Sequence, residues 1–169
     1  MNFYRVKQFY WGINSKIEEK DLDFLHRNLN KNELNLFYKL SVHEQKHSIK
    51  VAYDVEYVCE KNNLDSKLLG KAALLHDIGK IYIKLNLIDK SIMHLIDNVT
   101  KGSIKKFSNI KKVNVYYNHG KIGRNILKGY NCDEKLLYLI ENHHNVNVIG
   151  DIELDILRMC DDRNWKYFL

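Results

Sequence analysis

Apolar residues recur three and four positions apart along most of the chain, and this spacing predicts a protein built from helices. Phe3, Val6, Tyr10, Ile13 and Ile17 give an amphipathic first helix, and Asp21–Leu29 and Asn32–Leu40 read as two shorter ones. Ser41-Val42-His43-Glu44 fits a capping box, in which a side-chain oxygen and a carboxylate satisfy each other's free backbone amides. It should open a long helix to about Glu60, ended by Asn62-Asn63. The next helix runs from about Ser66 to Asp77 and stops near Gly79. Ile81-Tyr82-Ile83-Lys84-Leu85 alternates and is read as extended, and Ser91–Val99 is helical again. Helices at Lys112–Leu127, Asp133–Asn142 and Asp151–Asp162 follow, the last two opening on an aspartate suited to the N-cap. No repeat, low-complexity tract or domain boundary interrupts the pattern. Residues 1–169 are therefore read as a single all-α domain.

The phase of these helices places chemistry-bearing side chains among apolar ones. On the long helix His47 shares a stripe with Val51, Val55 and Val58. On the next, His76 lines up with Leu69, Ala72 and Ala73, and Asp77 follows Ala73 by one turn. His119 lines up with Tyr116, Gly123 and Ile126, and His143 with Leu136 and Ile140, with His144 beside it. On the last helix Asp161 joins Leu154 and Leu157, while Asp162 turns away. A single core histidine is usually hydrogen-bonded, and an aspartate at a helix end is usually a cap. Five helices that each turn such a residue inward need a shared partner, because burying several ionisable groups without one is costly. Imidazole nitrogen and carboxylate oxygen together suit first-row divalent metals.

Composition narrows the class. Of 169 residues, 45% are hydrophobic and 28% charged, which is ordinary for a globular protein. No apolar run has the length of a membrane span, and Met1-Asn2-Phe3-Tyr4-Arg5 begins no secretory signal. Cys59, Cys132 and Cys160 are scattered without metal-binding spacing, which fits reduced thiols and a cytoplasmic location. The net charge of +6 concentrates in Lys101-Gly102-Ser103-Ile104-Lys105-Lys106-Phe107 and Lys111-Lys112. This stretch is either a solvated loop or a rim that attracts phosphates. It carries no helix-turn-helix or zinc-finger signature and too few aromatics to stack bases, so nucleic acid is ranked low as a partner.

The ordered set His47, His76-Asp77, His119, His143-His144 and Asp161 resembles the HD-domain metal-dependent phosphohydrolases, including their His-Asp-Ile-Gly form at His76–Gly79. The likeness covers residues 46–163 and leaves 1–45 as an N-terminal helical extension. It implies a helical bundle with a central metal site. It implies that His47, His76, Asp77 and Asp161 hold one metal. It further implies that Asp77 bridges to a second held by His119 and His143, with His144 a ligand or a neighbour. Two divalent ions per chain are thus expected, with iron, manganese, zinc, cobalt and nickel all admitted by the donor set. The implied activity is hydrolysis of a phosphate ester or anhydride, of a nucleotide, by a metal-activated hydroxide. Asp77 and Lys80 are the catalytic candidates, Lys80 as a clamp on phosphate; Lys121 and Arg124 are weaker ones. The segment Ile81–Ile110 is a candidate substrate rim. The cyclic-di-GMP-cleaving relatives carry Gly-Tyr-Pro after their paired histidines, where this chain has Asn145-Val146-Asn147-Val148 and no proline at all. The small hydrolases of diadenosine tetraphosphate are similar in size and in the His119-Gly120 turn. A non-catalytic nucleotide sensor and a di-iron oxygenase are the alternative readings.

Overall fold

The computed structural model describes residues 17–83 and 87–162, and every regular element among them is helical. The first amphipathic helix foreseen at residues 3–17 lies outside the described residues, apart from its last position. Eight α-helices follow in order: α1 (Glu19–Asn28), α2 (Lys31–Phe37), α3 (Val42–Lys61), α4 (Lys67–Leu75), α5 (Leu87–Thr100), α6 (Lys111–Lys128), α7 (Glu134–Asn142) and α8 (Ile152–Asp162). Two short 3₁₀ turns, Ile78–Tyr82 and Ser103–Phe107, interrupt them.

Caps fix several boundaries. Ser41 Oγ accepts from the Glu44 amide at 3.4 Å, and Glu44 Oε2 accepts from the Ser41 amide at 3.0 Å, as the capping box requires. Asp133 accepts from the Lys135 and Leu136 amides, and Asp151 from that of Leu154. At the N-terminal side the capping carboxylates do more than cap. Asp21 accepts from the Glu18 amide and, on α3, from Lys46 Nζ at 2.8 Å and the Tyr53 hydroxyl at 3.2 Å. Glu33 accepts from the Asn30 amide and, on α4, from Lys71 Nζ at 3.0 Å. Both carboxylates are buried, so each holds the extension to the bundle by a charge-assisted bond shielded from water. Phe24, Leu25, Leu34 and Phe37 then join the same apolar cluster as α3, α4, α7 and α8.

Helix α4 is the hub. It packs against α3, α7 and α8, with Leu69, Ala72, Ala73, Leu74 and Leu75 all buried. Each fully buried leucine contributes about 1.5–3 kcal/mol of hydrophobic stabilisation. The helix ends at Leu75, two residues earlier than the apolar stripe suggests, so His76 is its C-cap and Asp77 lies just beyond. The chain then turns instead of extending. Lys80 donates its backbone amide to the Asp77 carbonyl at 2.9 Å, closing the first 3₁₀ turn, which takes in Ile81 and Tyr82 where extended chain was expected; Lys84 and Leu85 of that run lie outside the described residues. This turn lies directly on α6. A Cβ on Gly79 would sit 1.9 Å from the His119 carbonyl oxygen and 2.8 Å from the Gly123 nitrogen, so the two backbones touch where no side chain fits. Gly120 plays the same part between α6 and α7, where a Cβ would come within 2.7 Å of the Glu141 carbonyl oxygen.

Helix α5 leans on the first half of α6 through Asp89–Lys112 at 2.7 Å and a hydrogen bond from the Tyr117 hydroxyl to Asp97. Its outer side leaves Ile92, Leu95 and Val99 exposed. The basic stretch beyond it is a 3₁₀ turn rather than an open loop. No helix among the described residues is long and apolar enough to cross a membrane.

Candidate metal centre

The close backbone packing brings the C-terminal ends of α4, α7 and α8, the first half of α3 and the middle of α6 to one place. His76, Asp77, His119 and His143 are buried there, and His47 and Asp161 are partly so. Three of the histidines are held in the same way. His76 Nδ1 donates to the Ala73 carbonyl at 2.8 Å, and His143 Nδ1 to that of Ile140 at 2.7 Å. His119 Nδ1 is shared between the carbonyls of Val115 and Tyr116, both at 3.2 Å. Each partner lies one turn back along the chain, so the local fold itself aims the ring. A carbonyl can only accept, so Nδ1 carries the hydrogen and Nε2 is left with a bare lone pair. Metal-binding histidines are prepared in just this manner.

These lone pairs meet. Nε2 of His119 and Nε2 of His143 are 3.2 Å apart, and Oδ1 of Asp77 is 3.3 Å from the former. Asp77 Oδ1 and His76 Nε2 are buried without a hydrogen-bond partner. A proton between the two rings would relieve the repulsion, but burial pushes the His119 imidazole down to about 3 and holds His143 well below its ordinary value. Neither ring is charged near neutral pH. Two imidazole nitrogens on one ion at about 2.0–2.1 Å would stand roughly 2.8–3.4 Å apart for bond angles from square to tetrahedral. The observed spacing fits a shared cation.

The carboxylates complete the arrangement. Burial would raise the Asp77 carboxyl, but Lys80, with Nζ 2.5 Å from Oδ2, and the neighbouring His76, His119 and His47 together outweigh it and hold the group well below the usual carboxylate range. Lys80 stays protonated in return: burial would lower its ammonium, and Asp77 raises it further. At the far side Asp161 Oδ1 lies 2.8 Å from His47 Nε2 and 3.6 Å from His76 Nε2, and its Oδ2 is 3.8 Å from His144 Nε2. The donor atoms form three overlapping groups: His47, His76 and Asp161; His76, Asp77 and His143; His119, His143 and His144. His76 and His143 each belong to two of them. All seven ligand candidates from the sequence are thus gathered in one centre, with His144 its exposed member.

Other candidates fall elsewhere. Lys121 is exposed, and Arg124 is occupied by Glu141 at 3.3 Å and Glu134 at 3.8 Å. Sequence reasoning took Gly79 as a helix stop and Gly123 as a place-holder in a stripe. It missed that they set the distance between Asp77 and His119. The recurrence of glycine two residues after Asp77, and one and four residues after His119, was the available signal.

An all-α bundle with histidines and aspartates from five segments converging on one buried centre defines a metal-dependent hydrolase architecture. The HD domain family model matches residues 45–163, and the chain belongs to this family of metal-dependent phosphohydrolases. No curated protein and no solved structure matches the chain.

Proposed function

We propose that the chain hydrolyses a phosphate ester or anhydride of a nucleotide at a centre holding two divalent ions, with Asp77 between them. The observation that carries this reading is the convergence of proton-free acceptors: His119 and His143 Nε2 at 3.2 Å and Asp77 Oδ1 at 3.3 Å, buried, with no cationic ring among them. His47, His76 and Asp161 would hold one ion and His119 and His143 the other, with His144 at the exposed edge of the second. Bound divalent ions lower the pKa of water towards neutrality and neutralise charge on phosphoryl oxygens.

The protein's own contribution is orientation and charge. The carbonyls of Ala73, Val115, Tyr116 and Ile140 fix three rings, so little reorganisation is needed when charge develops in the transition state. Lys80 brings a permanently protonated ammonium to Asp77 and favours an anionic substrate there. Exposed Lys101, Lys105, Lys106 and Lys111, beyond α5, add a positive field that raises the local concentration of phosphates. The segment bearing them supports the nucleotide reading as a rim.

Elemental analysis of protein purified without added metal or chelator tests this, together with phosphate release from a panel of mono- and dinucleotides. About two ions per chain and turnover are expected, both lost in Asp77→Ala. An Asp77→Ala protein with full activity overturns the mechanism. Two bound ions with nucleotide binding and no product would make the chain a sensor instead.

A further inference from the structure

Arg158, on α8, directs its entire guanidinium at a single turn. Nε donates to the His143 carbonyl at 3.3 Å. Nη1 donates to the Val148 carbonyl at 2.8 Å and to Asp155 Oδ1 at 3.1 Å. Nη2 donates to the carbonyls of Asn142 at 3.1 Å and Asn145 at 2.6 Å. Four of the five acceptors are backbone oxygens of the turn that leaves α7 at its C-cap, His143.

Little else holds that turn. Asn145, Val146, Asn147 and Ile149 are exposed and only Val148 packs against the core cluster, so hydrophobic burial contributes little there. Its own backbone bonds are Asn145 to Asn142 at 2.8 Å and Val148 to Asn145 at 3.1 Å. Both of those acceptors are also bound by Arg158. A guanidinium is planar and presents its donors in a fixed fork. Four carbonyls on that fork define the turn's position and tilt relative to α8. Arg158 also sits three residues before Asp161, on the same side of the helix. One helix therefore presents Asp161 to His47 and grips the turn that carries His143 and His144.

We propose that Arg158 is a positioning residue that sets the spacing between the His143–His144 turn and Asp161, and so couples the His119–His143–His144 end of the centre to the His47–His76–Asp161 end. This rests on the two-ion reading above. An ordinary helix-end arginine would stabilise the fold and leave metal affinity alone; a positioning residue changes affinity at one end.

The test uses the full chain and its Arg158→Ala and Arg158→Lys variants. Each is titrated with zinc alone and with cobalt(II) alone. Bound ions are counted, the cobalt absorption spectrum is recorded, and the chelated proteins are melted. In Arg158→Ala, affinity for the second ion is expected to fall roughly 10–100-fold, the range for losing a group that orients a ligand. The first ion is retained, and the cobalt spectrum changes for one site only. Arg158→Lys restores little, because a point charge cannot hold four carbonyls. Wild-type affinity for both ions with an unchanged cobalt spectrum, beside a lowered melting temperature, overturns the proposal. If Arg158→Ala does not fold, Arg158→Lys decides by the same two outcomes. A wild-type chain that binds no metal overturns the two-ion reading itself.

Discussion

Replacing Gly79 with alanine should damage the fold and the centre together. The added Cβ would lie 1.9 Å from the His119 carbonyl oxygen, against about 3.4 Å for ordinary contact, and 2.8 Å from the Gly123 nitrogen. Both neighbours are backbone, so no side chain can swing aside. The 3₁₀ turn and α6 must separate by about 1.5 Å. Overpacking of a well-filled core costs about 1–3 kcal/mol, and a backbone-on-backbone clash belongs at the upper end. At about 2–4 °C per kcal/mol for a chain of this size, the melting temperature should fall by about 6–12 °C. Gly70→Ala is the internal control. Nothing lies within 4 Å of that Cβ, and the site is inside α4. The lost backbone freedom of glycine should make that variant about 0.5–1 kcal/mol more stable. Both are melted by circular dichroism with chelator present, and metal is counted separately. Because Asp77 and His119 lie on opposite sides of the forced gap, Gly79→Ala should also bind metal at least tenfold more weakly. A Gly79→Ala melting temperature within 2 °C of wild type, with metal binding intact, would refute the claim that this contact sets the centre.

Two further outcomes follow from the same structure. The metal-free protein should lose stability as pH falls below about 6.5, because the unfolded histidines take up protons there while folded His119 resists to about 3 and His143 is likewise depressed. The slope is about 1.4 kcal/mol per pH unit for each such ring. Urea titrations of chelated protein from pH 7.5 to 5 measure it, and a flat profile counts against the buried neutral rings. Ser41→Ala should cost about 1 kcal/mol by removing the N-cap of α3, lowering the melting temperature by about 2–4 °C. Metal content should stay unchanged, because Asp21 on Lys46 holds the same end of the helix.

Much of this was legible in the sequence because helical phase is a local property. The stripes that turn His47, His76, His119, His143 and Asp161 inward could be read residue by residue, and so could the caps at Ser41, Asp133 and Asp151. The alternation beginning at Ile81 misled at its described start, where Ile81 and Tyr82 complete a tight turn whose Ile78 and Gly79 are pressed inward. What decides there is the contact of Gly79 with α6, some forty residues away in sequence, which no local pattern encodes. Arg158 was invisible for a related reason. Its partners are mostly carbonyls 10–16 residues upstream, and backbone oxygens leave no mark in the amino-acid sequence.

Lys80 bears on the order in which the protein is assembled. Its ammonium already neutralises Asp77 inside the folded chain, so the most deeply placed carboxylate does not have to wait for an ion before it is buried. In small zinc domains the chain stays unfolded until metal arrives. Here the lysine acts as a resident counter-ion, so the burial of Asp77 does not by itself require metal. The chelated chain is therefore expected to stay helical and to melt cooperatively, and an unfolded chain after chelation would count against that role for Lys80.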